Sequence, residues 1–156
     1  MTNEGFIDAR GMWQGRGRGA FTALGEVRFL GKSNPLYGAG TATNEFRGRG
    51  YSIEESSGIP RFNYTHGTIN VTDMIAPLPG NNGVQHKVNL SQRGNGLTYR
   101  LVTADSIARQ ENGSFLIDGG RFVIGAISGG TVNIRDSGTS LELAVEESDL
   151  SYTVSW

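Results

Sequence analysis

The chain contains no cysteine, has histidine only at positions 66 and 86, and carries a formal net charge of −1. Without cysteine it cannot form disulfides, thiolate nucleophiles, iron–sulfur clusters or cysteine-ligated zinc sites. Its nearly balanced charge does not provide the broad positive field of a dedicated nucleic-acid-binding protein. These absences exclude several classes of protein and leave a domain that must be stabilised by packing and backbone hydrogen bonds.

Long apolar runs are also absent. No stretch approaches the roughly 18 apolar residues that a membrane-spanning helix needs. The first ten residues are polar and lack the basic region and apolar core of a signal peptide. We therefore expect a cytoplasmic protein with neither a membrane nor a nucleic acid as partner. Its length of 156 residues fits one domain over residues 1–156.

Glycine is abundant, and apolar residues alternate with polar ones. The chain has 24 glycines, about twice the usual ~7%, and they are spread along its length. Alternation with a period of two, as in residues 141–145 and 150–156, is typical of β-strands. Turn pairs such as Asn95-Gly96 and Gly119-Gly120 separate the runs. Residues 103–110 have a weak helical pattern, and a continued strand is the alternative there. Residues 74–83 are predicted to form a long loop.

The pattern predicts an all-β, antiparallel meander. Many short strands would expose sheet edges unless the sheet closed, so we predict a small β-barrel of about eight to ten strands. Glycines inside strand-like runs suit the bulges that tight curvature needs. In architecture such a meander resembles the lipocalin-like and allene-oxide-cyclase-like barrels, although no motif of either group is matched. A two-sheet β-sandwich is the alternative.

A candidate site lies on one predicted strand face. Period two places Phe62, Tyr64 and His66 on the same face. If this face points into the barrel, Tyr64 and His66 could act as proton donor and acceptor, and we predict them as catalytic residues. If Gly67 forms a hairpin turn, His66 would instead lie at the rim.

The remaining candidate residues would shape the ligand site. We predict that the ligand-binding residues include aromatic walls and polar groups from several strands: Trp13, Phe62, Tyr99, His86 and Glu45. Two histidines without a carboxylate at a diagnostic spacing make a poor metal site, so we expect no metal. Glycine-rich phosphate and dinucleotide motifs are absent from the sequence, so we expect no cofactor either.

Two functions fit these features. The first is a barrel that binds an apolar small molecule, either as a carrier or as a cofactor-free isomerase or cyclase. The alternative is a non-enzymatic, self-assembling or lectin-like binding module with a packed interior. The apolar alternation of residues 150–156 supports the alternative, because such a strand must be buried or paired with a neighbour. A homo-oligomer is therefore a possible state.

Overall fold

The computed structural model describes residues 35–38, 46–94 and 96–156, and in these ranges the regular structure is β-strand with three short 3₁₀ turns. The strands follow one another along the chain as β1 (Leu36–Gly38), β2 (Phe46–Ile53), β3 (Pro60–His66), β4 (Ile69–Pro77), β5 (Gly83–Leu90), β6 (Leu97–Thr103), β7 (Ile107–Arg109), β8 (Phe115–Ile117), β9 (Phe122–Ser128), β10 (Gly130–Arg135), β11 (Ser140–Val145) and β12 (Asp149–Ser155). The predicted all-β fold is confirmed.

The strands form two antiparallel sheets. The small sheet has the order β1-β6-β11-β10, and the large sheet has the order β2-β3-β4-β5-β12-β9-β8-β7. Within the described ranges no pairing joins the outer strands of either sheet, so neither sheet closes on itself. Barrel closure is therefore not confirmed, and the two-sheet arrangement fits the sandwich that the sequence left as the alternative.

The C-terminal strand lies in the middle of the large sheet. β12 pairs with β5 on one side and with β9 on the other. The chain thus pairs both edges of this strand itself, and the strand needs no second molecule to cover it. This apolar strand therefore gives no reason for self-association, and a homo-oligomer stays a prediction.

The chain passes between the two sheets at a corner that requires glycine. Gly129 is the one residue between β9 in the large sheet and β10 in the small sheet, and its φ is 101°. A Cβ atom on Gly129 would lie 2.4 Å from the side chain of Leu150, and one on Gly130 would lie 1.8 Å from the carbonyl oxygen of Ala144. No larger residue fits these two positions without moving the backbone.

The core lies between the sheets and is built by alternation. In β12, Leu150, Tyr152 and Val154 are buried, whereas Ser151 and Thr153 are only partly covered. Buried apolar residues of both sheets form one continuous cluster. Burial of this kind is worth about 1.5–3 kcal/mol for each large apolar side chain, so the alternating faces supply most of the driving force for stacking the sheets.

Two local predictions are wrong. The predicted loop over residues 74–83 is much shorter, because β4 continues to Pro77, which pairs with Val84 of β5. Residues 103–110 form no helix. Ile107–Arg109 form a strand that pairs with β8, which fits the alternative that the sequence left open. The carboxylate of Asp118 accepts the backbone N–H groups of the intervening residues Asp105 and Ser106, at 2.8 and 3.1 Å. Tertiary pairing overrides the weak helix signal there.

Candidate functional site

Five polar side chains meet between the two sheets, and we call them the interior network. They are Tyr64 on β3, Asp73 on β4, His86 on β5, Tyr152 on β12 and Tyr99 on β6. The strand register brings them together: His86 lies opposite Tyr152 and Asp73 lies opposite Val88, two residues along β5 from His86. Because Tyr99 belongs to the small sheet, the interior network joins the two sheets.

The interior network forms one chain of hydrogen bonds. Nε2 of His86 bonds the carboxylate of Asp73, and Nδ1 of His86 lies 2.5 Å from the hydroxyl of Tyr152. Tyr64 also bonds Asp73, and Tyr99 bonds Tyr152. A carboxylate only accepts, so Nε2–H of His86 donates to Asp73, and in the neutral imidazole Nδ1 then accepts the hydrogen of the Tyr152 hydroxyl. Every member of the network therefore has a partner, with one consistent tautomer of the imidazole.

The three tyrosines of the interior network are held neutral. Burial raises the pKa of the Tyr64 and Tyr152 hydroxyls well above the ordinary value, and the negative charge of Asp73 raises both further. Burial also raises the pKa of Tyr99, with the neighbouring Tyr152 as the next cause. These phenols can donate hydrogen bonds but do not ionise at neutral pH. Both nitrogens of His86 are already engaged, so the ring offers no free atom to a ligand.

The structure brings together part of the predicted site. Tyr64, His86 and Tyr99 all belong to the interior network. His66 is 2% exposed and lies at the far end of β3, next to the turn at Gly67, which has a φ of 59°. The turn is present as the sequence suggested, but His66 is buried there and not at an exposed rim.

Of the other predicted ligand-binding residues, Phe62 is the one that the structure describes. Phe62 is 41% exposed, and its ring centroid lies 6.4 Å from that of Tyr51. Trp13 and Glu45 lie outside the described residues. Sequence reasoning missed Asp73 and Tyr152 as members of the network. The alternation of residues 150–156 predicted a buried face for Tyr152. It gave no such prediction for Asp73, because a loop was predicted directly after this residue.

The outer face of the large sheet carries a groove of about 460 Å³, which we call the outer groove. It crosses five neighbouring strands: β3, β4, β5, β12 and β9. Its lining residues are Arg61, Thr72, Met74, Lys87, Val88, Asn89, Ser128, Asp149, Leu150 and Ser151. Most of the side chains that can reach a ligand there are hydrogen-bonding or charged groups.

The strand register arranges these side chains in two rows across the sheet. The cationic row contains, from β3 to β9, Arg61, Met74, Lys87, Ser151 and Ser128. Arg61 forms an ion pair with Glu54, and the hydroxyls of Ser128 and Ser151 are 2.9 Å apart. Lys87 is exposed and forms no hydrogen bond or ion pair with the residues the structure describes.

The second row is the amide row, which lies beside the cationic row and contains Asn63, Thr72, Asn89 and Asp149. The Thr72 hydroxyl donates to Asn63 Oδ1 at 3.0 Å. The Asn89 amide donates to Asp149 Oδ1 at 2.8 Å. These bonds hold the side chains in place before any ligand arrives. They leave a carbonyl oxygen of Asn89 and a carboxylate oxygen of Asp149 as acceptors, and one N–H of Asn89 as a donor.

Within residues 35–38, 46–94 and 96–156, no group of three histidine or carboxylate side chains is placed to hold a metal ion. None of the described helical segments has the length and apolar character to cross a membrane. Comparison of the sequence with known protein families and with curated proteins finds no match.

Proposed function

We propose that this protein is a non-enzymatic, lectin-like binding module that holds a polyhydroxylated ligand in the outer groove. The observation that carries the proposal is the hydrogen-bonded pair Asn89–Asp149 on an open, polar sheet face. A carboxylate accepts hydrogen bonds from neighbouring hydroxyl groups, and an amide can both donate and accept. A pair of this kind matches the hydroxyl groups of a sugar ring.

The size and mixed chemistry of the outer groove support the same proposal. Its volume of about 460 Å³ falls within the range of about 300–1,000 Å³ that small-molecule sites occupy. Met74 adds one apolar surface between polar neighbours, against which the C–H face of a sugar could lie. Because Thr72 and Asn89 are already held by other side chains, ordering them on binding costs little entropy.

The packing of the interior also supports a surface site. Tyr99 is 1% exposed within the core, and the interior network satisfies its own hydrogen bonds. A ligand entering between the sheets would have to displace these contacts. A ligand in the outer groove displaces only water.

The test is binding of a panel of methyl glycosides, measured by calorimetry and by NMR chemical-shift changes. We expect at least one glycoside to bind and to shift the amide signals of β4, β5 and β12. Asn89→Ala should weaken binding by about tenfold or more, because a hydrogen bond to a held polar group is lost. Asn133→Ala removes the same amide on the small sheet and is the matched control. Absence of binding, or equal binding by both variants, would refute the proposal.

The interior network favours a second candidate, a carrier or a cofactor-free isomerase or cyclase that holds an apolar ligand between the two sheets. Three residues that the sequence singled out, Tyr64, His86 and Tyr99, share this network. The side chains of His86 and Asp73 are 15% and 18% exposed. In this candidate the neutral phenol of Tyr64 would exchange its hydrogen bond to Asp73 for one to a carbonyl of the ligand.

Native mass spectrometry of the purified protein, with and without Tyr64→Phe, tests the second candidate. A co-purifying apolar molecule that is lost in the variant, at unchanged thermal stability, would favour the interior site over the outer groove. A bare chain in both samples would count against it.

A further inference from the structure

We infer that the ligand of the outer groove carries an oxyanion, a carboxylate or a sulfate ester, and that Lys87 binds it. This inference rests on the proposed function and adds the charge of the ligand. The sugar would therefore be an acidic one, a uronate or a sulfated sugar.

Two charged side chains of the outer groove already have partners. Arg61 is engaged by Glu54, and Asp149 is hydrogen-bonded by Asn89. Lys87 lies between them on β5 and is exposed. Its charge helps to lower the pKa of the Glu54 carboxyl, but it forms neither a hydrogen bond nor an ion pair within the part of the chain described by the structure. The sequence contains only one other lysine, at position 32, outside the described residues. Lys87 thus presents three ammonium donors to whatever enters the groove.

Two hydroxyl groups lie beside Lys87 in the cationic row. Ser151 lies directly opposite Lys87, and Ser128 lies opposite Ser151. Their two hydroxyls bond each other at 2.9 Å, and only one hydrogen is used in that bond. The other hydrogen is free to donate to an oxyanion held by Lys87. Charge-assisted bonds of this kind are about twice as strong as neutral ones.

The separation of the two rows gives the size of the ligand. Lys87 and Asn89 are two residues apart on one strand face, so their Cα atoms lie about 7 Å apart. One sugar ring with an acidic substituent spans such a distance. Its hydroxyls would meet the Asn89–Asp149 pair while its oxyanion meets Lys87. The negative charge of Asp149 disfavours the opposite orientation, because it would repel the oxyanion.

The experiment compares methyl glucoside, methyl glucuronide and glucose 6-sulfate by calorimetry at fixed ionic strength. We expect each acidic sugar to bind about tenfold or more tightly than the neutral one, from the added charged hydrogen bonds. In Lys87→Gln the ratio of acidic to neutral affinity should fall close to one. Arg93→Gln removes the same charge from an exposed position outside the groove and should keep the ratio. Comparing the affinities of glucose 6-sulfate and methyl glucuronide identifies which oxyanion is preferred.

The outcomes separate this inference from the proposed function. If the neutral glucoside binds as tightly as both acidic sugars, the inference is wrong while the binding module stands. If no sugar binds, the proposed function fails, and the inference fails with it. An equal effect of Arg93→Gln and Lys87→Gln would indicate general electrostatic attraction and would overturn the role of Lys87. Inorganic sulfate is the last probe. If it binds as tightly as glucose 6-sulfate, the groove is a simple anion site, and the inference that the ligand is an acidic sugar is wrong.

Discussion

The hydroxyl of Tyr152 donates a hydrogen bond to Nδ1 of His86 over 2.5 Å. The two residues are opposite each other on β12 and β5, and their side chains point toward the small sheet. The bond occupies the imidazole nitrogen that a general base would need, because Asp73 holds the other nitrogen. The imidazole of His86 is therefore engaged at both nitrogens by the hydrogen bonds of the interior network.

Tyr152→Phe should destabilise the fold. The change removes the donor to His86 and the acceptor of the Tyr99 hydroxyl, and leaves both buried groups without their partner. We expect a loss of about 1–3 kcal/mol in the free energy of unfolding, measured by urea denaturation. Tyr51→Phe is the control, because Tyr51 is 67% exposed. Equal stability of the two variants would contradict the importance of the network.

The raised pKa values of the buried tyrosines predict that the protein loses stability in alkali. The pKa values of Tyr64, Tyr99 and Tyr152 are raised in the folded protein, first by burial. The unfolded chain releases these protons near pH 10, whereas the folded protein keeps them, so stability is intact below about pH 10 and falls as the pH rises above it. Ultraviolet absorbance of tyrosinate should show a delayed step that coincides with unfolding. A single step near pH 10 for all tyrosines of a still folded protein would contradict this.

The lowered pKa of Glu142 predicts that the protein loses stability in acid. Burial alone would raise its pKa, but hydrogen bonds from Tyr37 and Ser140 and the charge of Arg100 outweigh burial and lower it below the usual value near 4.5. A lowered pKa adds stability that is present above pH 4.5 and is lost as the pH falls through the folded pKa. Denaturation midpoints from pH 7 to pH 3 should therefore fall less steeply for Glu142→Gln than for the unaltered protein.

Glu111→Gln serves as the control for the acid series, because Glu111 is exposed in a turn. It should reproduce the pH dependence of the unaltered protein. If Glu142→Gln shows the same steepness as this control, Glu142 does not contribute to the acid transition.

Gly130→Ala should disturb the corner between the sheets. The new methyl group would lie 1.8 Å from the backbone oxygen of Ala144, which cannot move without breaking the pairing of β10 with β11. We expect destabilisation of about 1–3 kcal/mol or more, measured by thermal unfolding. Gly48→Ala is a matched control, since nothing lies within 4 Å of its added methyl group. A fully stable Gly130→Ala variant would show that the corner can relax.

Several features could be predicted from the sequence alone. Leu150, Tyr152 and Val154 alternate with polar residues, and they form a buried face of β12 as expected. The pair Gly119-Gly120 lies in a 3₁₀ turn between β8 and β9, where the turn was predicted. Alternation and turn chemistry are local properties of the backbone, so a single sequence carries them directly.

The partners of each strand were decided only by the tertiary structure. Period two could place Tyr64, His86 and Tyr152 on buried faces, but it could not place Asp73 and Tyr152 beside His86. That neighbourhood depends on the register of three strands, and a slip of one residue would turn every side chain of a strand to the other face. The outer groove has the same origin, because its two rows are built across five strands. Sequence alone thus determined the local alternation and turns, while the strand register, summed over contacts across the whole sheet, decided which residues meet.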